Sequence, residues 1–114
     1  MIEIVSPGPL TTVQDQGRPG FAHLGVPTSG ALDMPALDLA NAIVGNAVNV
    51  AGLECTLGGL IVLFHATTTF ALSGAPTRAK LAEAPVEHET PHTALPGDVL
   101  RVGTAASGVR TYVA

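Results

Sequence analysis

The sequence is poor in charged residues and lacks long apolar runs, and each shortage excludes a class of function. Only 12% of the 114 residues are charged, and the formal net charge is −4. Nucleic-acid binding needs clustered Lys and Arg, so no nucleic-acid partner is expected. The longest apolar stretch, residues 60–64, is far too short to span a bilayer, and no basic amphipathic segment indicates a membrane surface.

Cysteine is also scarce, since Cys55 is the only one and cannot form an internal disulfide. Residues 1–7 lack the charged and apolar regions of a signal peptide, so a cytoplasmic location is expected. Cys55 lies in a predicted strand whose alternation places Leu53, Cys55 and Leu57 toward the core and Glu54 the other way. A buried, inert thiol is therefore favoured over a nucleophile.

The sequence is rich in glycine and proline, and its 13 glycines and nine prolines separate short apolar runs. The runs are rich in Val, Ile, Thr, Phe and Leu, which is typical of strands. Strands are predicted at 2–5, 53–57, 60–64, 67–72, 99–102 and 109–113, with two weaker ones around Leu81 and Val86. Turns are predicted at 7–9 and, from the Pro-Gly pair, at 95–98.

One helix is predicted over about 33–45, where no glycine interrupts a stripe formed by Ala36, Ala40, Ile43 and Val44. Asp33 is a good N-cap, Pro35 fits the first turn, and Gly45-Asn46 is a natural stop. The length allows one domain, residues 1–114. Many short strands with one helix predict a mainly β fold, an antiparallel barrel that the helix caps at one end. A surface with so little charge also favours cover by a partner or by more chain.

The densest polar cluster, residues 11–20, predicts a binding loop. Gly17, Pro19 and Gly20 fix a sharp turn near an amide (Gln14), a carboxylate (Asp15) and a guanidinium (Arg18). A guanidinium suits planar carboxylate or phosphate groups. Alternatively, Asp15 and Arg18 pair with each other and only lock the loop, and the two interpretations are compatible.

A second candidate is the entry to the predicted helix, where Ser29 and the Gly30 backbone precede unpaired amides that favour an anion. The alternative is that Asp33 is only a cap. The histidines His23, His65, His88 and His92 do not pair with each other or with Cys55 at zinc-finger spacing, so no metal site is expected. His23 could act as a general base or be structural.

The motifs in order resemble the family of the C subunit of the ATP-dependent 5-oxoprolinase, also described as allophanate hydrolase subunit 2 or biotin-dependent carboxyltransferase. The matching pieces, which span nearly the whole chain, are PG at 7–8, TVQDQGRPG at 12–20, HLGVP at 23–27, SGALD at 29–33, ANAIVGN at 40–46, LE at 53–54, Thr56, GG at 58–59, LSGA at 72–75, PGD at 96–98 and GVRTYVA at 108–114.

The resemblance implies cyclophilin-like β-barrel domains in a longer architecture, of which this chain would be the N-terminal portion with an incomplete barrel. It implies a complex with a B subunit of related fold and a third subunit, in which ATP (with Mg²⁺) is used to open 5-oxoproline to glutamate. Two alternatives remain. One is a carboxyltransferase subunit acting on urea or a similar amide, which alone would need biotin, and the other is a non-catalytic regulator of a related barrel.

An unactivated lactam is a poor electrophile, and this suggests a hypothesis for the role of each candidate residue. Phosphorylation of the carbonyl oxygen by ATP would make the lactam a better electrophile, and needs cationic and N–H groups around anionic oxygens. Arg18 and the Ser29-Gly30 helix entry would supply these groups. Asp15 would orient substrate or metal-bound nucleotide, and Gln14 would hydrogen-bond the lactam amide.

Overall fold

The computed structural model describes residues 2–15, 31, 33–47, 50–105 and 110–114, and in these ranges the protein is mainly β, as predicted. Its strands are β1 (Ile2–Pro7), β2 (Leu10–Gln14), β3 (Gly52–Thr56), β4 (Leu60–Phe64), β5 (Thr68–Phe70), β6 (Leu72–Gly74), β7 (Thr77–Leu81), β8 (Ala84–Val86), β9 (His92–Ala94), β10 (Val99–Ala105) and β11 (Arg110–Val113). The helix α1 spans Met34–Ile43. No helix among the described residues is long and apolar enough to cross a membrane.

The strands form two main antiparallel sheets and one small one. Sheet A has the order β1-β4-β10-β7-β8, sheet B has the order β2-β3-β11-β6, and β5 pairs with β9. Consecutive strands β1 and β2 are therefore edges of different sheets, joined by the predicted turn at Gly8. Within the described residues the sheets do not close on each other, which agrees with the expected incomplete barrel.

The main core lies on the inner faces of the sheets. The strand predicted at 60–64 is β4, and it buries Leu60, Val62 and Phe64 at alternate positions. Phe64 stacks on Phe70 with ring centroids 5.4 Å apart. Cys55 is fully buried in this cluster, so the prediction of a buried thiol is confirmed.

Leu57 does not belong to the core, and its predicted placement there is wrong. Its φ of 63° ends β3 one residue earlier, and its side chain is about half exposed. The Gly58-Gly59 turn follows directly, and the turn at Gly8 packs against it. Gly8 has a φ of 66°, and a Cβ there would collide with the carbonyl oxygen of Gly58, so only glycine allows this close approach.

Helix α1 begins and ends close to the predicted positions. The Asp33 side chain accepts a hydrogen bond from the amide of Ala36 at 3.2 Å, which confirms the N-cap. Gly45, with a φ of 78°, follows the helix. The predicted stripe is wrong at its C-terminal end, because Ile43 and Val44 are only half-buried.

The helix instead buries Leu37 and Asn41 beside Ala36 and Ala40. Asn41 is polar and therefore interrupts an apolar stripe in the sequence. Its Nδ2 donates to the carbonyl oxygen of Val50 at 2.8 Å, and its Oδ1 accepts from Nδ2 of Asn46 at 3.1 Å. These bonds satisfy the buried amide.

Three strand predictions need correction. Residues 67–72 form two strands, because Ala71 between them exchanges backbone hydrogen bonds with Ala114 while β5 pairs with β9 and β6 with β11. Residues 11–14 belong to the edge strand β2 and not to a loop. Strand β9 has no counterpart among the predicted strands.

Two further predictions are confirmed. Strands β7 and β8 pair as a hairpin. The turn at Pro96-Gly97 is closed by a hydrogen bond from the Asp98 amide to the Leu95 carbonyl oxygen at 3.0 Å.

Candidate functional site

A row of polar side chains crosses sheet B on the face that carries α1. The strand registers place Thr12 opposite Glu54, Glu54 opposite Tyr112, and Tyr112 opposite Ser73. Directly opposed residues project on the same side of a sheet, so the four share one face. Ser73 Oγ donates to the carbonyl oxygen of Ala36, which ties this face to the helix.

Tyr112 connects the sheet to the N-terminus of the helix. Its hydroxyl donates to Oε2 of Glu54 at 2.8 Å and accepts from the amide of Asp33, also at 2.8 Å. Tyr112 is fully buried and Glu54 nearly so. Burial and the neighbouring Glu54 carboxylate raise the pKa of Tyr112 to about 12. The phenol therefore stays protonated near neutral pH and acts as a donor to Glu54.

Arg110 brings a positive charge to the same face, two residues before Tyr112 on β11. Its Nε lies 3.5 Å from Oε1 of Glu54, and a quarter of its side chain is exposed. This Nε is buried and has no hydrogen bond within the described part of the chain, so the contact is an ion pair without hydrogen-bond geometry. The exposed remainder of the guanidinium can meet an anionic group from solvent.

Two of the sequence-predicted site residues lie at the end of β2 next to this row. Gln14 is half-buried, and its Nε2 donates to Oγ1 of Thr12 at 3.0 Å. The exposed Asp15 accepts at its backbone oxygen from the amide of Ala31 at 3.0 Å, so the chain returns to the end of β2 just before the helix. The structure thus brings the predicted Gln14 and Asp15 beside the Thr12, Glu54 and Tyr112 row.

The other predicted site residues, Arg18, Ser29 and Gly30, lie outside the described residues, as does His23. Their roles, and the alternative in which Arg18 pairs with Asp15, stay predictions. Asp33 does cap the helix, and its backbone amide also bonds to the Tyr112 hydroxyl.

Sequence reasoning missed Glu54, Tyr112 and Arg110 as site residues. Strand alternation already placed Glu54 on the face away from the core. The usable signal was that Arg110 and Tyr112 share one face of the predicted strand 109–113, while Glu54 lies on the face of 53–57 opposite Cys55. What the pattern could not give is that β3 and β11 are neighbours and that α1 covers their shared face.

The histidines of the described residues lie elsewhere. His88 Nε2 accepts from the amide of Thr77 at 3.1 Å, and burial lowers the pKa of His88 below its usual value. His92 stacks on Phe70 with centroids 5.7 Å apart. Within the described ranges, no group of three or more His, Cys, Asp or Glu side chains could hold a metal ion.

Comparison with known proteins gives a family match and close relatives. The family described as carboxyltransferase domain, subdomain A and B, matches residues 24–114. The C subunit of the Escherichia coli 5-oxoprolinase is 43% identical over 114 residues, which cover all of this chain and 37% of that relative. A urea amidolyase from Lachancea kluyveri is 42% identical over 113 residues, or 98% of this chain and 6% of the relative.

The solved structures agree with these matches. The crystal structure of the K. lactis urea amidolyase superposes with a TM-score of 0.95 at 39% identity, over 99% of this chain and 7% of that chain. This chain therefore spans only a minor part of the relatives that it matches. Within that part the fold is the same.

Proposed function

This chain belongs to the family described as carboxyltransferase domain, subdomain A and B. From that membership we propose that it forms part of an ATP-dependent 5-oxoprolinase, which opens 5-oxoproline to glutamate. The C subunit of the E. coli 5-oxoprolinase is similar to it over the whole length of this chain. In this proposal the chain acts only in a complex with partner subunits, as a single cyclophilin-like domain or part of one, and in the cytoplasm.

The observation that carries the proposal is the convergence of charged and hydrogen-bonding groups on the helix-facing side of sheet B. Glu54, Tyr112 and the Asp33 amide form one bonded chain, with Arg110 at 3.5 Å from Glu54. Gln14 and Asp15 lie at the end of the neighbouring strand β2. A site held by buried, bonded supports can position substrate groups closely.

The proposed reaction uses ATP as a substrate that activates the lactam. Transfer of the terminal phosphoryl group of ATP to the lactam carbonyl oxygen, with release of ADP, makes the carbonyl carbon more electrophilic, so that water can attack it. Arg18, the Ser29-Gly30 helix entry and the exposed part of Arg110 would stabilise the anionic oxygens. Gln14 would hold the lactam amide.

Asp15 would hold Mg²⁺ that arrives with the nucleotide. Mg²⁺ bound to a nucleotide keeps water and phosphate ligands and needs only one or two carboxylates from the protein. The exposed carboxylate of Asp15 fits that requirement, although the described residues hold no metal cluster of their own.

A second candidate function, the carboxyltransferase step of a urea carboxylase, is favoured by the similarity to urea amidolyases. It requires a biotin carrier on another chain or domain, because Lys80 here is flanked by Ala79 and Leu81 and not by the methionines of a biotinylation motif. The third candidate, a non-catalytic regulator of a related barrel, needs no substrate at the site.

The assembled complex, built from this chain's full-length polypeptide and its native partners, distinguishes the three candidates. We expect 5-oxoproline to stimulate ATP hydrolysis with one glutamate released per phosphate. Stimulation by urea and dependence on a biotin carrier would favour the second candidate. Stimulation by neither substrate would favour the third and contradict the proposal.

A further inference from the structure

The side chain of Arg110 is held in place at both of its ends. Its backbone oxygen accepts from the amide of Ala75 at 2.8 Å, and the hydroxyl of Thr111 donates to the Ala75 carbonyl oxygen at 2.9 Å. Gly74, with a φ of 82°, lets β6 approach here, because a Cβ would collide with the Arg110 carbonyl oxygen. At the other end, Nε lies 3.5 Å from Oε1 of Glu54. The guanidinium is therefore positioned in advance of ligand binding.

The Glu54 carboxylate that holds Arg110 is itself fixed by Tyr112. Its Oε2 accepts from the Tyr112 hydroxyl at 2.8 Å, while its Oε1 faces Arg110. The Glu54 side chain is only 11% exposed, so its charge is costly to keep without a cation, and Arg110 supplies that cation. In return, Glu54 balances much of the charge of Arg110.

This balance of charge decides which anion suits the exposed part of Arg110. Nε faces Glu54, and a quarter of the side chain remains accessible. The planar fork of the terminal N–H groups matches the oxygens of a carboxylate. A polyphosphate carries several charges and calls for cations whose charge is not offset. Hydrogen-bond geometry and not net charge therefore selects the ligand, which favours a carboxylate.

Arg110 is also the only Lys or Arg that the described residues place on sheet B or α1. The other described cations belong to β7 and β10 of sheet A, and they are Arg78, Lys80 and Arg101. Within the described part of the chain, an anionic group that binds the helix-facing side of sheet B thus has Arg110 as its cationic partner.

Gln14 and Arg110 lie on opposite sides of Glu54 on this face. Gln14 belongs to β2 and Arg110 to β11, with β3 between them, so the two strands are about 10 Å apart. The half-buried Thr12 and Thr56 add hydroxyls to the same face. 5-Oxoproline has a lactam at one end and a carboxylate at the other. With a hydrogen bond of about 2.9 Å at each end, it bridges a gap of this size.

We propose that Arg110 binds the carboxylate of 5-oxoproline, and that Glu54 is the positioning residue that holds its guanidinium. This inference rests on the proposed function and deepens it, since it names the anionic oxygens that the exposed part of Arg110 meets. The lactam then lies toward Gln14, and the site selects a lactam that carries a carboxylate over a neutral one.

Substrate selectivity of the assembled complex, with this chain's full-length polypeptide and native partners, tests the proposal. 5-Oxoprolinamide keeps the lactam and has a neutral amide in place of the carboxylate. In ATP hydrolysis, we expect kcat/KM for 5-oxoproline to exceed that for 5-oxoprolinamide at least about 100-fold. Arg110→Gln should raise the KM for 5-oxoproline at least about 30-fold and reduce this preference below about fivefold. Its KM for ATP should stay within about threefold.

The positioning role of Glu54 has a separate readout. Glu54→Asp keeps the charge but withdraws the carboxylate by one methylene group, so the guanidinium loses its fixed position. The KM for 5-oxoproline should rise about tenfold while kcat stays within about threefold. Kinetics with 5-oxoprolinamide should stay within about twofold, whereas a general loss of structure would impair both substrates alike.

A matched control and a double variant separate binding from folding. Arg101→Gln removes an arginine that also faces a glutamate, Glu83 at 3.9 Å, but on sheet A, and should leave kcat/KM for both substrates within about twofold. Arg110→Gln removes the cation beside the buried Glu54 carboxylate and can destabilise the fold. The double variant Arg110→Gln with Glu54→Gln removes the carboxylate charge as well, and should keep the raised KM for 5-oxoproline.

Several results would overturn the proposal. An unmodified complex that uses both lactams equally well would do so without any variant. An assembled Arg110→Gln or double-variant complex that keeps its preference for 5-oxoproline would do the same. A raised KM for ATP with an unchanged KM for 5-oxoproline would identify nucleotide phosphate as the ligand of Arg110.

The proposed function fails or survives separately from this inference. Stimulated hydrolysis with unchanged selectivity in the Arg110 variants would contradict the role of Arg110 alone. If neither lactam stimulates ATP hydrolysis, the function is contradicted, and calorimetry of 5-oxoproline binding to the complex decides the inference. Binding that the double variant loses would support the role of Arg110, and binding that it keeps, or no binding at all, would contradict it.

Discussion

The hydroxyl of Tyr112 lies 2.8 Å from Oε2 of Glu54, although 58 residues separate the two in sequence. The bond runs between directly opposed residues of β11 and β3, and the same hydroxyl accepts from the backbone amide before α1. One phenol thus fixes a buried carboxylate and the start of the helix together. The Asp33 amide bonds to the same hydroxyl and Arg110 lies 3.5 Å from Glu54, so this network fixes the centre of the described part of the candidate site.

The ionisation of Tyr112 gives the first prediction. Since Tyr112 is the only tyrosine and tryptophan is absent, the near-ultraviolet absorbance of tyrosinate reports on this residue alone. We expect a titration midpoint near the raised pKa of about 12 in the folded protein. Because the pKa of Tyr112 is raised in the folded state, the protonated phenol contributes fully to the stability of the fold below pH ~10. This contribution to the free energy of unfolding is lost as the pH rises through about 12. A midpoint near that of free tyrosine would contradict the buried Glu54 contact.

The coupling of Tyr112 and Glu54 gives the second prediction. Tyr112→Phe removes the donor from a buried carboxylate and the acceptor from the Asp33 amide, and should cost roughly 2–4 kcal/mol in the free energy of unfolding. Urea denaturation of this variant, of Glu54→Gln and of the double variant gives the coupling energy. We expect a coupling of about 1 kcal/mol or more. Additive effects, within about 0.5 kcal/mol, would show that the two side chains act independently.

The turn between β7 and β8 gives the third prediction. Ala82 and Glu83 have φ values of 48° and 70°, a left-handed pair that favours Asn-Gly. The double substitution Ala82→Asn with Glu83→Gly should stabilise the protein by about 1 kcal/mol, because it relieves strain and removes only the exposed 3.9 Å ion pair of Glu83 with Arg101. Arg101→Gln controls for the lost ion pair and should change stability by less than about 0.5 kcal/mol. A loss of stability in the double variant would contradict the turn.

His88 gives the fourth prediction. Burial lowers the pKa of His88 against the opposing charge of Glu89, and a ring protonated at Nε2 cannot accept from the Thr77 amide. A lowered pKa means that stability is present above pH ~6.5 and is lost as the pH falls through the lower folded value. NMR of the ring protons, assigned with His88→Gln, should place the midpoint below 6.5, the value for a free histidine. A midpoint at or above that value would contradict the Thr77 contact.

Local patterns predicted most of the elements because their determinants are local. The strand at 60–64, the Asp33 cap and the glycine that follows the helix appear in the structure where the sequence placed them. Edge strand β2 resembles a loop in the sequence because side chains such as Thr12 and Gln14 are polar and its partner β3 is about 40 residues away. Pairing across such a distance has no local signal.

The candidate site could be predicted only in part for the same reason. Gln14 and Asp15 stand out as members of a dense polar cluster, and they do adjoin the site. Glu54 and Tyr112 became site residues only when β3, β11 and α1 were assembled around them, which is a tertiary property. Asn41 shows the converse, a polar residue buried on a helix face because partners 5 and 9 residues away satisfy its amide.

The rate of 5-oxoproline-dependent ATP hydrolysis by the assembled complex tests the central claim most directly. We expect Asp15→Ala and Arg18→Ala each to lower this rate at least about 100-fold, since Arg18 would face the anionic transition state and Asp15 would hold the Mg²⁺ of the nucleotide. The control Glu87→Ala, an exposed carboxylate far along the chain from the site, should leave the rate within about twofold. Normal turnover by both site variants, with partners still bound, would contradict the account.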